Sequence, residues 1–156
     1  MRAIEQMMRG LTAPAMLRCA SGYIYLHFGL LKFFPDLSPA ELLAEQTIWK
    51  LSLGIIEPAL ALRLLAIFEC LIGIGLLFKI KLKLIFAAIN FHLIFTFAPL
   101  VIFPELTFKF FPFAPNLEGQ FILKNLALLA GVWVVLFPMA FGPFQDVKTL
   151  GTDSQI

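Results

Sequence analysis

Four stretches of this chain are apolar over the thickness of a bilayer, and no other feature limits its fold as strongly. Residues 15–34, 58–78, 84–103 and 120–137 each approach the length of about 20 apolar residues that a spanning helix needs. In hydrocarbon, backbone N–H and C=O groups must pair within their own segment, so each stretch is predicted as an α-helix. Hydrophobic residues make up 60% of the 156-residue chain and charged residues only 14%, with a mean hydropathy of +0.91. A soluble domain carries about 25% charged residues, so an aqueous globule is a poor description of this sequence. The net charge is +2 and the cations are scattered, which argues against a nucleic-acid partner and for the lipid bilayer.

The length fits one domain. The expected fold is all-α: a polytopic membrane bundle of four transmembrane helices, with an extra interfacial helix between spans one and two. Residues 1–14 form an N-terminal interfacial segment, 15–138 the membrane domain and 139–156 a polar C-terminal tail. Arg2 and Arg9 precede the first stretch, as they would in a signal peptide. Arg18, His27 and Lys32 interrupt it, so it reads as an uncleaved span. The interfacial helix opens on a capping box, Ser38-Pro39-Ala40-Glu41, and carries Glu45, Gln46, Trp49 and Lys50 among apolar residues. Between spans three and four, Phe108, Phe110, Phe111 and Phe113 lie among three prolines, the composition of an interfacial loop or re-entrant cap. Lys79, Lys81 and Lys83 join Arg2 and Arg9 on one side of the membrane. The positive-inside rule then makes both termini cytoplasmic, in a bacterial-type inner membrane.

The polar residues inside the spans are the candidate site. Glu69 lies mid-span, where a carboxylate costs a few kcal/mol even on lenient scales. At a rise of ~1.5 Å per residue, it is roughly 16 Å below the outer end of its helix. Arg18, Gly22, Tyr25, Gly29 and Lys32 recur at spacings of three and four, which puts them on one face of span one. The glycines admit a neighbouring helix closely. Arg18 is the first candidate partner for Glu69, with Tyr25 as a further contact. His92 and Thr96 share a face of span three, and Lys124 and Asn125 lie a turn inside span four. Lys32, Arg63, Lys124 and Asn125 are expected to form a cationic pocket above Glu69, roofed by the Phe-rich loop. The competing expectation is that these groups snorkel to headgroups or join helices. His27 points away from the Arg18 face. It and His92 lie on separate helices, so no metal site is expected. Cys19 and Cys70 lie in different spans with no C-x-x-C, which argues against thiol–disulfide chemistry and for buried, inert side chains.

Three segments resemble the DoxX family of small integral membrane proteins. Arg18 followed by Tyr25-Leu26-His27-Phe28-Gly29-Leu30-Leu31-Lys32-Phe33 is similar to its first helix. Glu69 followed by Gly73-Ile74-Gly75-Leu76-Leu77 is similar to its second. Leu117-Glu118-Gly119-Gln120-Phe121-Ile122-Leu123-Lys124-Asn125 is similar to the start of its last helix. The likeness covers roughly residues 15–138. It implies a four-helix inner-membrane bundle, with redox or thiol-stress systems and, in some relatives, a quinone oxidoreductase subunit. Arg18, Lys32, Glu69, Lys124 and Asn125 are the positions it marks.

The leading expectation is therefore a redox-associated subunit, an oxidoreductase component if it is enzymatic, that binds a quinone or small anion around Glu69. Glu69 and His92 would handle protons. Arg18, Tyr25, Lys32, Arg63, Thr96, Lys124 and Asn125 would contact the ligand. Two alternatives are a small-solute or anion transporter, and a non-catalytic partner or assembly factor that uses the Gly22/Gly29 seam. A homo-oligomer or a redox partner protein would fit either.

Overall fold

A computed structural model of the chain describes residues 12–34, 37–38 and 41–143. The expected interfacial segment up to residue 11, the middle of the capping box (Pro39 and Ala40) and the tail beyond residue 143 lie outside the described residues. The fold is mostly helical: α1 (Ala13–Leu31), α2 (Glu41–Leu51), α3 (Pro58–Phe78), α4 (Leu82–Thr96), α5 (Ala98–Ile102), α6 (Pro104–Thr107) and α7 (Leu117–Phe141). A two-stranded hairpin, β1 (Phe108–Phe110) and β2 (Ala114–Pro115), precedes α7.

Three helical stretches are long and apolar enough to cross a membrane: Pro58–Phe78, Leu82–Ile102 and Leu117–Phe141. α1 is helical over most of the first expected span, but Arg18, Ser21, Tyr23, Tyr25 and His27 lower its hydropathy, and it falls outside that group. Pro14 and Pro58 sit in the first turns of α1 and α3, where a missing N–H costs nothing. The third expected span is broken rather than continuous. α4 stops at Thr96 and α5 resumes at Ala98, beside Pro99, which has no N–H to carry the ladder through.

The other boundaries also shift. Residues 104–119, expected as an interfacial loop or re-entrant cap, are ordered as α6, the hairpin and the first residues of α7. Asn116 then caps α7, accepting from the Gly119 N–H through Oδ1 (3.0 Å) and donating from Nδ2 to the Leu106 carbonyl (2.7 Å). This cap starts the last helix three residues earlier than its apolar run suggests. The same helix continues to Phe141, so the first residues assigned to a polar tail are helical.

The tightest packing joins α1 to α3. A Cβ added at Gly73 would lie 2.6 Å from the Leu26 backbone nitrogen and 2.9 Å from the Gly22 carbonyl oxygen. One added at Gly29 would lie 2.8 Å from Cys70 Sγ. Only glycine lets these backbones come so close. The core follows as a cluster around Tyr25, Ile72, Leu76, Ile89, Leu93, Val132 and Leu136, drawn from α1, α3, α4 and α7. α7 packs chiefly on α4, and α2 lies against α3. The seam proposed for a foreign helix is thus filled by the chain itself.

Gly73→Ala isolates that close approach. Alanine favours a helix interior by about 1 kcal/mol over glycine, whereas overpacking costs about 1–3 kcal/mol. The variant should therefore be destabilised in a thermal-denaturation assay of the detergent-purified protein. A melting temperature equal to or above the parent would show that the helices can separate freely.

Candidate functional site

Glu69 faces the α1–α3–α4 junction and is only 6% exposed. Two groups meet its carboxylate. Lys32 Nζ lies 2.7 Å from Oε2, and His92 Nε2 lies 3.1 Å from Oε1. On the far side of the imidazole, the Tyr25 hydroxyl is 3.2 Å from His92 Nδ1. One arrangement satisfies every member: Tyr25 O–H donates to Nδ1, Nε2–H donates to Glu69, and the Lys32 ammonium donates to the other carboxylate oxygen. The result is an unbroken polar chain, Lys32–Glu69–His92–Tyr25, inside an apolar bundle.

Local structure sets each position. Lys32 is the first residue past α1 and caps it. Its stem reaches back to Glu69, and its ammonium also donates to the Phe28 carbonyl at 3.4 Å. Glu69 shares the buried face of α3 with Ala66, Ile72, Gly73 and Leu76. His92 is braced by rings: Tyr25 meets it edge-on with centroids 5.3 Å apart, and Phe68 lies 6.2 Å away. Thr96 acts on the backbone of this helix, donating from Oγ1 to the His92 carbonyl at 2.8 Å.

The expected Arg18–Glu69 pair is not formed. Arg18 is buried and donates from Nη1 to the carbonyls of Leu76 and Leu77, the latter at 2.9 Å. Both carbonyls lie in the last turn of α3, where helical partners run out and the helix carries its negative end. Antiparallel packing brings Arg18 level with that end, more than a turn beyond Glu69. The tertiary structure thus gives the arginine a nearer acceptor than the carboxylate.

The wider cationic pocket is not assembled either. Arg63 and Lys124 are exposed, and the Lys124 ammonium sits over the Phe121 ring, 5.0 Å from its centroid. Asn125 is half-buried. Of the four residues assigned to the pocket, Lys32 alone has an ion pair with Glu69 among the described residues. The Phe-rich hairpin packs on α6 and α7. His27 stacks on Tyr23 with centroids 5.5 Å apart, on the exposed side of α1. Cys19 is exposed rather than buried, and Cys70 is intermediate.

A second polar tie has no place in the expected site. Asn90 Oδ1 accepts from Trp133 Nε1 at 2.7 Å, and Asn90 Nδ2 donates to the Phe86 carbonyl at 2.7 Å. It links α4 to α7. The available signal was an amide and an indole within two apolar spans, each needing a partner in hydrocarbon. No family model, curated protein or solved structure matches the chain.

Removing one member of a buried ion pair costs about 3–5 kcal/mol, because the other charge is left unpaired, whereas replacing both can be nearly neutral. Glu69→Gln and Lys32→Met should each lower stability by that order, and the double variant should recover most of the loss. Chemical denaturation in detergent measures the cycle. Additive losses would show that the two charges are independent.

Proposed function

We propose that this protein is a DoxX-like inner-membrane protein with four spans, and that its Lys32–Glu69–His92–Tyr25 chain handles protons for a quinone-linked redox system. The observation that carries this reading is the continuity of the polar chain across three helices in an apolar core. Supporting the fourth span, α1 has 19 residues, a length of about 28 Å at ~1.5 Å per residue. Its buried arginine donates from Nη1 to two backbone carbonyls, which reduces the cost of a charge at that depth. The lysine-rich α3–α4 turn then marks the cytoplasmic face, with α2 on the opposite surface.

Of the two ligands considered, a planar quinone fits these residues better than a small anion. Lys32 is neutralised by Glu69, so it offers no uncompensated charge to an anion. His92 keeps 15% side-chain exposure, more than Lys32 or Glu69. Phe68 flanks it, with Phe91 edge-on to Phe68 at 6.3 Å, so an aromatic edge leads to the imidazole. A bound quinone would supply two-electron, two-proton chemistry, with electrons from a redox partner protein.

The chain's own part is proton handling. His92 passes a proton between its two partners, the Tyr25 hydroxyl at Nδ1 and the Glu69 carboxylate at Nε2. Glu69 accepts from Nε2–H, and Lys32 neutralises the carboxylate. Tyr25 orients the ring through Nδ1.

Titration of the purified protein in nanodiscs with a short-chain quinone tests the reading. Saturable binding is expected, weakened roughly tenfold, or 1.4 kcal/mol, in Glu69→Gln and His92→Gln. Absence of saturable binding, or equal affinity in both folded variants, would remove it.

A further inference from the structure

A second site lies at the opposite end of α3 from the lysine turn. There α2, Pro58 at the start of α3 and Phe103 after α5 line an open cleft of about 740 Å³. That volume falls within the range of about 300–1,000 Å³ typical of small-molecule sites. Its apolar walls include Trp49, Pro58 and Phe103, and its polar lining is Glu45, Gln46 and Lys50.

The polar lining is unspent. The side chains of Glu45 and Gln46 make no hydrogen bond or ion pair among the described residues, although both residues are partly buried. The Lys50 ammonium lies over the Phe103 ring, 4.7 Å from its centroid. That contact holds the cation at the cleft and leaves its N–H donors free. Glu45 and Lys50 are five residues apart on α2, about 7.5 Å along the axis at the ~1.5 Å rise per residue. They present opposite charges to one cavity without pairing with each other.

The cleft is also at headgroup depth. It sits where one membrane-spanning helix begins and the next ends. Trp49, beside it, is 46% exposed, in keeping with the interfacial preference of tryptophan. We propose that this cleft binds one zwitterionic aminophospholipid. Its phosphate meets Lys50, its primary ammonium meets Glu45 and the Gln46 carbonyl, and its glycerol end runs over Phe103 and Pro58.

Charge complementarity selects this occupant. An anionic headgroup without an ammonium would satisfy Lys50 but leave the Glu45 carboxylate without a cation. A primary ammonium can donate hydrogen bonds to both a carboxylate and an amide oxygen, which a quaternary ammonium cannot do. The inference rests on the membrane setting but is independent of the proton chain, so the two can fail separately.

Native mass spectrometry of the full chain tests it, with phosphatidylethanolamine and phosphatidylglycerol of matched acyl chains in equal amounts. The expected result is one retained phosphatidylethanolamine, preferred about fivefold, or 1 kcal/mol. Glu45→Gln should abolish the preference without weakening phosphatidylglycerol binding, and Lys50→Gln should weaken both lipids. These groups are at or near the surface and should leave the Glu69 stability cycle unchanged. Equal retention of both lipids by the parent, a preference for phosphatidylglycerol, or a preference that survives both substitutions would overturn the proposal.

Discussion

The ion pair between Lys32 and Glu69 is the contact on which the bundle's arrangement depends. A carboxylate in an apolar helix can stay buried only if its charge is balanced and its lone pairs are used. Lys32 supplies the charge, and His92 supplies a donor to the second oxygen. These partners come from the end of α1 and the middle of α4. Satisfying Glu69 therefore fixes how far α1 runs along α3 and which face α4 turns inward. Tyr25 extends the same constraint, because its hydroxyl needs His92 Nδ1.

Close backbone approach makes that pairing reachable. Gly22 and Gly29 on α1 and Gly73 on α3 remove the side chains that would hold the helices apart. The approach also places Arg18 against the terminal carbonyls of α3. The two helices are thus joined at two levels, the middle of α3 and its C-terminal end, by cations with different acceptors. One cation meets a carboxylate and the other a helix terminus, so neither competes for the other's partner. α7 is held differently, by apolar packing and the Trp133–Asn90 hydrogen bond.

Much of the site was legible as residue types and faces. The three-and-four spacing of Arg18, Gly22, Tyr25, Gly29 and Lys32 identified one seam, and all five residues lie along the α1–α3 contact or its polar chain. Glu69 and His92 were legible as ionisable groups that hydrocarbon does not tolerate alone. Their pairing was not legible. Reach depends on the vertical register of two antiparallel helices, and a shift of one turn, about 5.4 Å, exchanges one cation for another. Arg63 and Lys124 look equivalent to Lys32 in sequence, yet their orientation leaves them exposed. The Phe-rich region reads in sequence as an interfacial loop or re-entrant cap, and its order as a hairpin comes from Asn116 and the β1–β2 pairing, which composition does not encode.

The sequence alone determined that this is a helical membrane chain, where its long apolar helices run, and that Glu69 must have a partner. Those conclusions follow from hydrocarbon thickness, backbone pairing and the cost of a buried charge, which act on local composition. Only the tertiary structure decided that the partner is Lys32 and that Arg18 serves a helix terminus. It also decided that His92 joins Tyr25 to the carboxylate and that α2 lines an open cleft with charged residues. Each depends on distances of a few ångströms between segments far apart in the chain. Such distances are set by how closely helices pack and in what register, and periodicity in a single helix does not encode them.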